Sequence, residues 1–452
     1  MINRRYWFKA MAVGGVAAAG LPVAGEAMGA GSGGATPLTS GVLFNAADYG
    51  AGGDGRADAT GAIQKALDAA ARRGGGVVLL PAGQYRVGGS LYVPSSVALE
   101  GVFRGPVSHS GHDLRARPHK TARAARRIAP LGTLLLVTGG QGKEDAEPTI
   151  TVAGNASLSG LTIYHPNQNP NTVPLEYPWA ISMIGDNATV SNVELLNPWR
   201  GIRAVKAHRH LIRNVTGQPL RTGILVDEIY DIGRIEDVHF NPWWSHHRSV
   251  LEFMYQQGES FVFGRSDWEY VFNTFSFGYG MAYRFIEGKT GACNGNFLGI
   301  GADASRHACV VEQSQKPGLL ITNGEFVSFD YLKLGKVDPV QVLVQPPNKG
   351  PVRFVNCSFW GPCRQIARLG SACTVGFGDC TFCQWDQSQY AIESLAGRLL
   401  VRGCEFQQAG PQLRLHGGVA QAVITGNITA GKWQIANAAG KRAKIGLNSA
   451  VR

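Results

Sequence analysis

Apolar residues recur at every second position through most of the chain. In "SNVELL", Val193 and Leu195 alternate with Glu194; in "EDVHF", Val238 and Phe240 flank His239; in "VNCSFW", Cys357 and Phe359 flank Ser358. Period two predicts strands with one buried face, because successive side chains on a strand point to opposite sides. The unit also returns along the chain. Cys357, Cys380 and Cys404 lie 23 and 24 residues apart, each followed two positions later by Phe359, Phe382 or Phe406. A turn-prone residue precedes each such strand: Asn192, Asn214, Asp237, Asn323, Asn356 and Asp379. A second strand then follows, in "WAISM", "RGIRAV", "TGILVD", "SVLEF", "HACVVE", "VQVLV", "RQIARL" and "YAIESL". Strand, turn, strand and return within about 23 residues leaves no room for a helical crossover and fits one coil of a parallel β-helix. Equivalent residues of successive coils then stack about 4.8 Å apart. The cysteines are expected as one internal row, with the phenylalanines as a parallel row.

One segment has the other period. Ile63, Ala66, Leu67 and Ala70 form a helical stripe from Thr60, the expected cap, to about Arg73, and Gly74 to Gly76 end it. Such a helix covers the open end of a stack of coils, whose edge and core would otherwise meet water. The surrounding "DYGAGGDGRADATGAIQKAL" and "GGGVVLLPAGQY" resemble the N-terminal signature of the pectate-lyase-like superfamily, shared by polygalacturonases, some exo-glucanases and phage tail-spike depolymerases. The likeness spans residues 44 to 105, and the coil repeats carry it to about residue 436. It implies an all-β fold, a single-stranded right-handed parallel β-helix with an N-terminal capping helix, acting on carbohydrate. It also implies that Asp54 and Asp58 belong to the turn and the cap rather than to a metal site. The catalytic motifs of polygalacturonases are absent: "LHGG" at His416 and "RIED" at Arg234 do not substitute for them. The calcium aspartates and catalytic arginine of pectate lyases do not map onto this chain either.

Composition changes the picture at the ends. The first thirty residues join Arg4, Arg5 and Lys9 to an Ala/Gly/Val stretch and read as a twin-arginine export signal, which places the protein in the periplasm or outside the cell. No run approaches the roughly 18 apolar residues of a membrane span. Residues 40–150 are expected to hold the cap and first coils, 150–436 the β-helix and 437–452 a basic tail. The net charge is +11, with a basic insert at 104–130 (Arg115, Arg117, Lys120, Arg123, Arg126, Arg127). This excess favours an anionic partner. For an exported chain that is an acidic glycan rather than nucleic acid. The eight cysteines are expected as buried thiols, since stacked neighbours on parallel strands are poorly placed for a bridge, with one bridge left open among Cys363, Cys373 and Cys383, which sit off the row.

Candidate chemistry gathers at 241–280, where "NPWWSHHRSVLEFMYQQGESFVFGRSDWEYVFNTFSFGYG" is expected as a long aromatic loop walling a substrate groove. Glycoside hydrolysis needs two carboxyl groups. Asp227, at the end of "TGILVD", and Glu252, one unit on, are expected on the outer face of stacked strands, with Asp267 beside them. Ser266 before Asp267 also fits a helix cap. Arg203, Trp243, Trp244, His246, His247, Arg265 and Trp268 are expected to bind substrate; the histidines have no third ligand for a metal, and Asp303 and Glu312 are reserves. The first expectation is therefore a hydrolase of a polysaccharide or oligosaccharide, without cofactor. A second is a lyase acting on a uronate glycan, where a base removes the proton beside a carboxylate that Arg, Lys or calcium neutralises. A third is a glycan-binding or envelope β-helix without catalysis.

Overall fold

The computed structural model describes residues 42–102, 132–335 and 337–451. The expected export signal and the basic insert at 104–130 lie outside them.

The alternation becomes three parallel ladders of strands, each coil giving one strand to each. The first ladder climbs through Gly76–Leu79 and Val97–Glu100, then through residues 189–191, 211–213 and 234–236 to Ala443–Gly446. The second runs from Gly83–Val87 and Thr133–Val137 through residues 193–195, 215–217 and 238–240. The third runs through Trp179–Met183, Arg200–Val205, Thr222–Asp227 and Glu259–Phe263. All the pairings between these strands are parallel, and the body is a right-handed parallel β-helix.

A single left-handed residue turns the chain from the first ladder to the second. Asn192, Asn214, Asp237, Asn323, Asn356 and Asp379 all have φ between 51° and 56°. Asn and Asp tolerate this region because their short side chains bond locally. The amides also stack: Asn214 Nδ2 donates to Asn192 Oδ1 (2.8 Å) and Asn356 Nδ2 to Asn323 Oδ1 (2.9 Å). One step after this turn the side chain points inward. Val193 pairs with Val215, Val215 with Val238 and Val238 with Thr274. The same row runs on through Cys357, Cys380 and Cys404, all buried. Two positions on, Phe326, Phe359, Phe382 and Phe406 stack with centroids 5.2, 5.4 and 4.8 Å apart. The sulfur row and the aromatic row are therefore as expected.

Helix α1 (Thr60–Arg72) buries Ile63, Ala66, Leu67 and Ala70 against the first coils. Its cap differs from expectation. Asp58 Oδ1 accepts from the Thr60 amide (3.0 Å) and hydroxyl (2.6 Å), while Thr60 Oγ1 accepts from the Gly88 and Gly89 amides. Burial raises the Asp58 pKa, but these hydrogen bonds outweigh it and leave the carboxyl below its ordinary range. Asp54 Oδ1 accepts from the Arg56 amide, so both aspartates shape backbone.

Four expectations are corrected. "SVLEF" is not a strand: it lies in helix α2 (Arg248–Gln257), which buries Val250, Phe253 and Met254, a helical spacing. The strand of that coil is Glu259–Phe263, and Ser266, instead of capping a helix, opens the strand Ser266–Phe277. The long loop thus ends at Gly258, well before residue 280. At the other end, Ala443–Gly446 and Ser449–Val451 pair as further strands, so the coils continue into the expected tail. Among the described residues no helix is long and apolar enough to cross a membrane.

Candidate functional site

The outer face of the third ladder carries the densest chemistry. Its mid-strand positions stack as Ser182, Arg203, Leu225, Val262 and Arg284. At one end, Glu259 is buried between Arg221 (3.2 Å) and Arg284 (2.5 Å), and Arg284 also holds Glu312 (2.7 Å). Burial lowers the Arg284 pKa, but the two glutamates outweigh it and the net shift is upward. This network neutralises itself and stiffens the floor.

Arg203 is different. It donates from Nε to Ser182 Oγ (2.9 Å), and its terminal nitrogens make no hydrogen bond among the described residues. Burial lowers its pKa, opposed by the charge of Glu147, with Arg200 adding to the lowering. A half-buried guanidinium with free donors is suited to a carboxylate ligand, which its planar fork can hold through two parallel bonds. Around it, Glu144 pairs with Arg200 and accepts from Trp199 Nε1 (3.1 Å). The Arg200 guanidinium lies over the Trp179 ring, 5.5 Å from its centroid. A cavity of about 210 Å³ opens beside them, lined by Lys143, Ala146, Glu147, Thr149 and Pro178 among others.

A larger cavity, about 760 Å³, lies on the second ladder and is lined by Gln84, Arg86, Leu134, Leu136, Tyr164 and Asn167 among others. Arg86 is the one charged residue among those that line it. The smaller cavity has a carboxylate and an ammonium in its wall, with the Arg203 guanidinium close enough to interact with that carboxylate, and is the better candidate for chemistry.

The loop at 241–258 closes onto two earlier loops: Ser245 Oγ donates to the Pro170 carbonyl (2.5 Å), and Gln218 accepts from the Trp244 and Ser245 amides (both 2.8 Å). Trp244 is 2% exposed and belongs to the core, and Trp243 packs on His239 (4.9 Å). His247 Nδ1 accepts from the Ser249 amide as the cap of α2, with exposed His246 next to it. Glu252 pairs with Arg248 along the same helix (3.5 Å).

Asp227 is at the far end of the third-ladder strands, where its Oδ1 accepts from the amides of Glu228 (2.9 Å) and Arg265 (2.7 Å). A Cβ at Gly264 or Gly288 would stand 2.4 or 2.3 Å from that oxygen, so the half-buried carboxylate sits close against both turns. Asp267 binds Arg265 (2.8 Å) and Gln315 (2.6 Å), and Arg265 lies over Tyr230. The structure therefore brings Asp227, Arg265, Asp267 and Trp268 together and leaves Glu252, Trp243, Trp244, His246 and His247 elsewhere. Thr222, opposite Glu259, is five residues before Asp227, roughly 16 Å of strand. Glu252 precedes Glu259, so the three expected carboxyls do not share one site. Of the reserves, Glu312 is paired, and burial pushes the Asp303 carboxyl upward, partly offset by the Ala304 backbone. Of the expected residues, Arg203 is the one whose charge is felt by a group lining the cavity, Glu147. Lys143, Glu144 and Glu147 were missed; their only signal is the acidic run "KEDAE" in a turn. Among the described residues no three metal-ligating side chains cluster.

The family model described as Rhamnogalacturonase A/epimerase, pectate lyase-like, matches residues 43–108, which hold α1 and the first coils. The tailspike protein of E. coli bacteriophage HK620 superposes with a TM-score of 0.54 at 9% identity, over 90% of this chain and 77% of that one. The chain has the parallel β-helix fold, with a pectate-lyase-like N-terminal segment. Curated relatives align with it over a short stretch. Alginate lyase 7 of Azotobacter vinelandii is 46% identical over 69 residues, 14% of this chain and 8% of that protein. Mannuronan C5-epimerase AlgE3 of the same organism is 49% identical over 69 residues, 14% of this chain and 4% of that protein. The pectate-lyase-like match takes in Gly88, Gly89 and Ser90 of the cavity wall but ends before Lys143, Glu147 and Arg203, so the charged groups there stand on their own chemistry.

Proposed function

We propose that this β-helix binds a uronate-containing polysaccharide across the third ladder and acts on it by removing the proton at C5, beside the carboxylate. The observation that carries this is Arg203, a half-buried guanidinium with unused donors on the groove floor. Abstraction at that carbon places charge on the adjoining carboxylate, and a fixed cation there stabilises it as it develops. Of the groups lining the cavity, a carboxylate such as Glu147 can accept the proton and an ammonium such as Lys143 can donate one. In elimination the C5–H electron pair forms the C4–C5 double bond, the C4–O bond breaks, and the departing oxygen takes a proton. In epimerisation the proton returns to the opposite face and no bond to oxygen breaks. The names of the relatives matched over a short stretch, an alginate lyase and a mannuronan epimerase, agree with this reaction class. The expected hydrolase depended on Asp227, Glu252 and Asp267 acting together; Glu252 lies apart on α2, and Asp227 and Asp267 are engaged by backbone amides, Arg265 and Gln315, which supports the lyase-type reading over it.

The test is incubation with polymannuronate and polygalacturonate in deuterated water, followed by NMR. The account predicts deuterium at C5 or unsaturated ends, and loss of both by about a hundredfold or more in Arg203→Ala. New reducing ends with neither signal would mean hydrolysis, and polymer binding without product would mean a non-catalytic protein; either overturns the proposal.

A further inference from the structure

The first ladder presents an outer face of unusual composition. Trp268, Tyr270 and Phe272 alternate along the strand Ser266–Phe277 and are 59, 43 and 49% exposed. The patch continues over the next coils through Leu298, Leu320 and Val355, also exposed. Contiguous apolar surface of this kind on a flat sheet marks a contact site. Trp268 also has φ +57°, a conformation that a bulky residue rarely holds. The register of the strand slips between Ser266 and Glu269, which turns Glu269 inward to buried His210 and leaves Trp268 outward.

Charge decides between occupants. Tyr270 lies between Arg234 and Asn296 in register, and Arg353 follows two coils beyond Asn296. Arg234 and Arg353 have no ion pair among the described residues, whereas Glu236, the acid beside Phe272, is paired with Arg213 (3.8 Å). A second copy of the chain would bring the same unpaired cations to its own edge. A polyanion neutralises them. The aromatic rings repeat about every 6.6 Å along the strand, and aromatic faces stack on the apolar C–H faces of sugar rings.

We propose that this face is a second polysaccharide-binding platform, taking the same acidic polymer as the third-ladder groove through Trp268, Tyr270 and Phe272, with Arg234 and Arg353 at its edges. It rests on the uronate reading above for its ligand class and is separate from the site of reaction.

The experiment is affinity electrophoresis through gels containing polymannuronate, which reads binding without turnover. The double variant Tyr270→Ala/Phe272→Ala, and Tyr270→Ala alone, alter exposed positions and are expected to melt with the wild type. The double variant should lose about tenfold in affinity, equal to roughly 1.4 kcal/mol, and the single variant part of that. Retardation equal to wild type in the double variant overturns the platform, as does a wild type that is not retarded. So does a wild-type dimer in sedimentation velocity that the double variant converts to monomer, which would make the face a self-interface. Platform-dependent retardation with no product from the wild type leaves the platform standing and removes the proposed reaction; product that depends on Arg203, with unchanged retardation in the double variant, does the reverse.

Discussion

His210 and Glu269 show how one residue's environment sets its charge. Both are fully buried, with His210 Nε2 3.2 Å from Glu269 Oε1 and Ser266 Oγ donating to Glu269 Oε2 (2.6 Å). Burial pulls the imidazole pKa down, but the charge and hydrogen bond of Glu269 outweigh it, with Arg234 opposing, and it stays above the ordinary 6.5. A raised folded pKa stabilises fully below the unfolded value, and that stability is lost as pH rises through the folded one. His210→Gln leaves a buried carboxylate without its cation and should cost about 3–5 kcal/mol below pH of about 6.5. Urea unfolding of wild type and variant from acid to alkaline pH should show the gap narrowing as pH rises. A gap that stays constant or widens would rule out a charged pair. Neither partner was legible from sequence, because a histidine and a glutamate 59 residues apart meet only through the coil register.

At the scale of elements, the repeat explains what could be read and what could not. The inward row of Val193, Val238, Cys357, Cys380 and Cys404 was legible because a ladder forces the same burial on every coil, and the left-handed Asn or Asp before it marks the register. Helix α2 was not, since "SVLEF" satisfies period two over five residues while Val250, Phe253 and Met254 satisfy period 3.6 over a longer window. Misreading it moved Glu252 onto a strand it does not occupy. The aromatic stack gives a direct comparison within one residue type. Phe382→Ala opens a cavity between Phe359 and Phe406 and should cost about 3–5 kcal/mol, while Phe272→Ala, at an exposed position, should change stability by under about 1 kcal/mol. Guanidinium unfolding measures both, and equal losses would contradict the assignment of inner and outer faces.

Across the whole molecule, three ladders give three outer faces, and the sequence foretold their existence better than their use. Arg203 was placed correctly because an outward position on a strand follows from alternation. Glu144 and Glu147 were not, since a loop reaches the third-ladder face by closure in space and leaves no periodic trace. The carboxylates chosen for their sequence neighbourhood, Asp227 and Asp267, instead bind backbone amides and a neighbouring arginine and glutamine. The account therefore rests on one cation and the cavity beside it. A crystal structure of the protein with a short oligouronate decides the matter most directly. It should show a sugar carboxylate paired with the Arg203 guanidinium and the ring over the cavity lined by Lys143 and Glu147. An oligosaccharide bound instead in the second-ladder cavity at Arg86, with Arg203 still touching only Ser182, would contradict it.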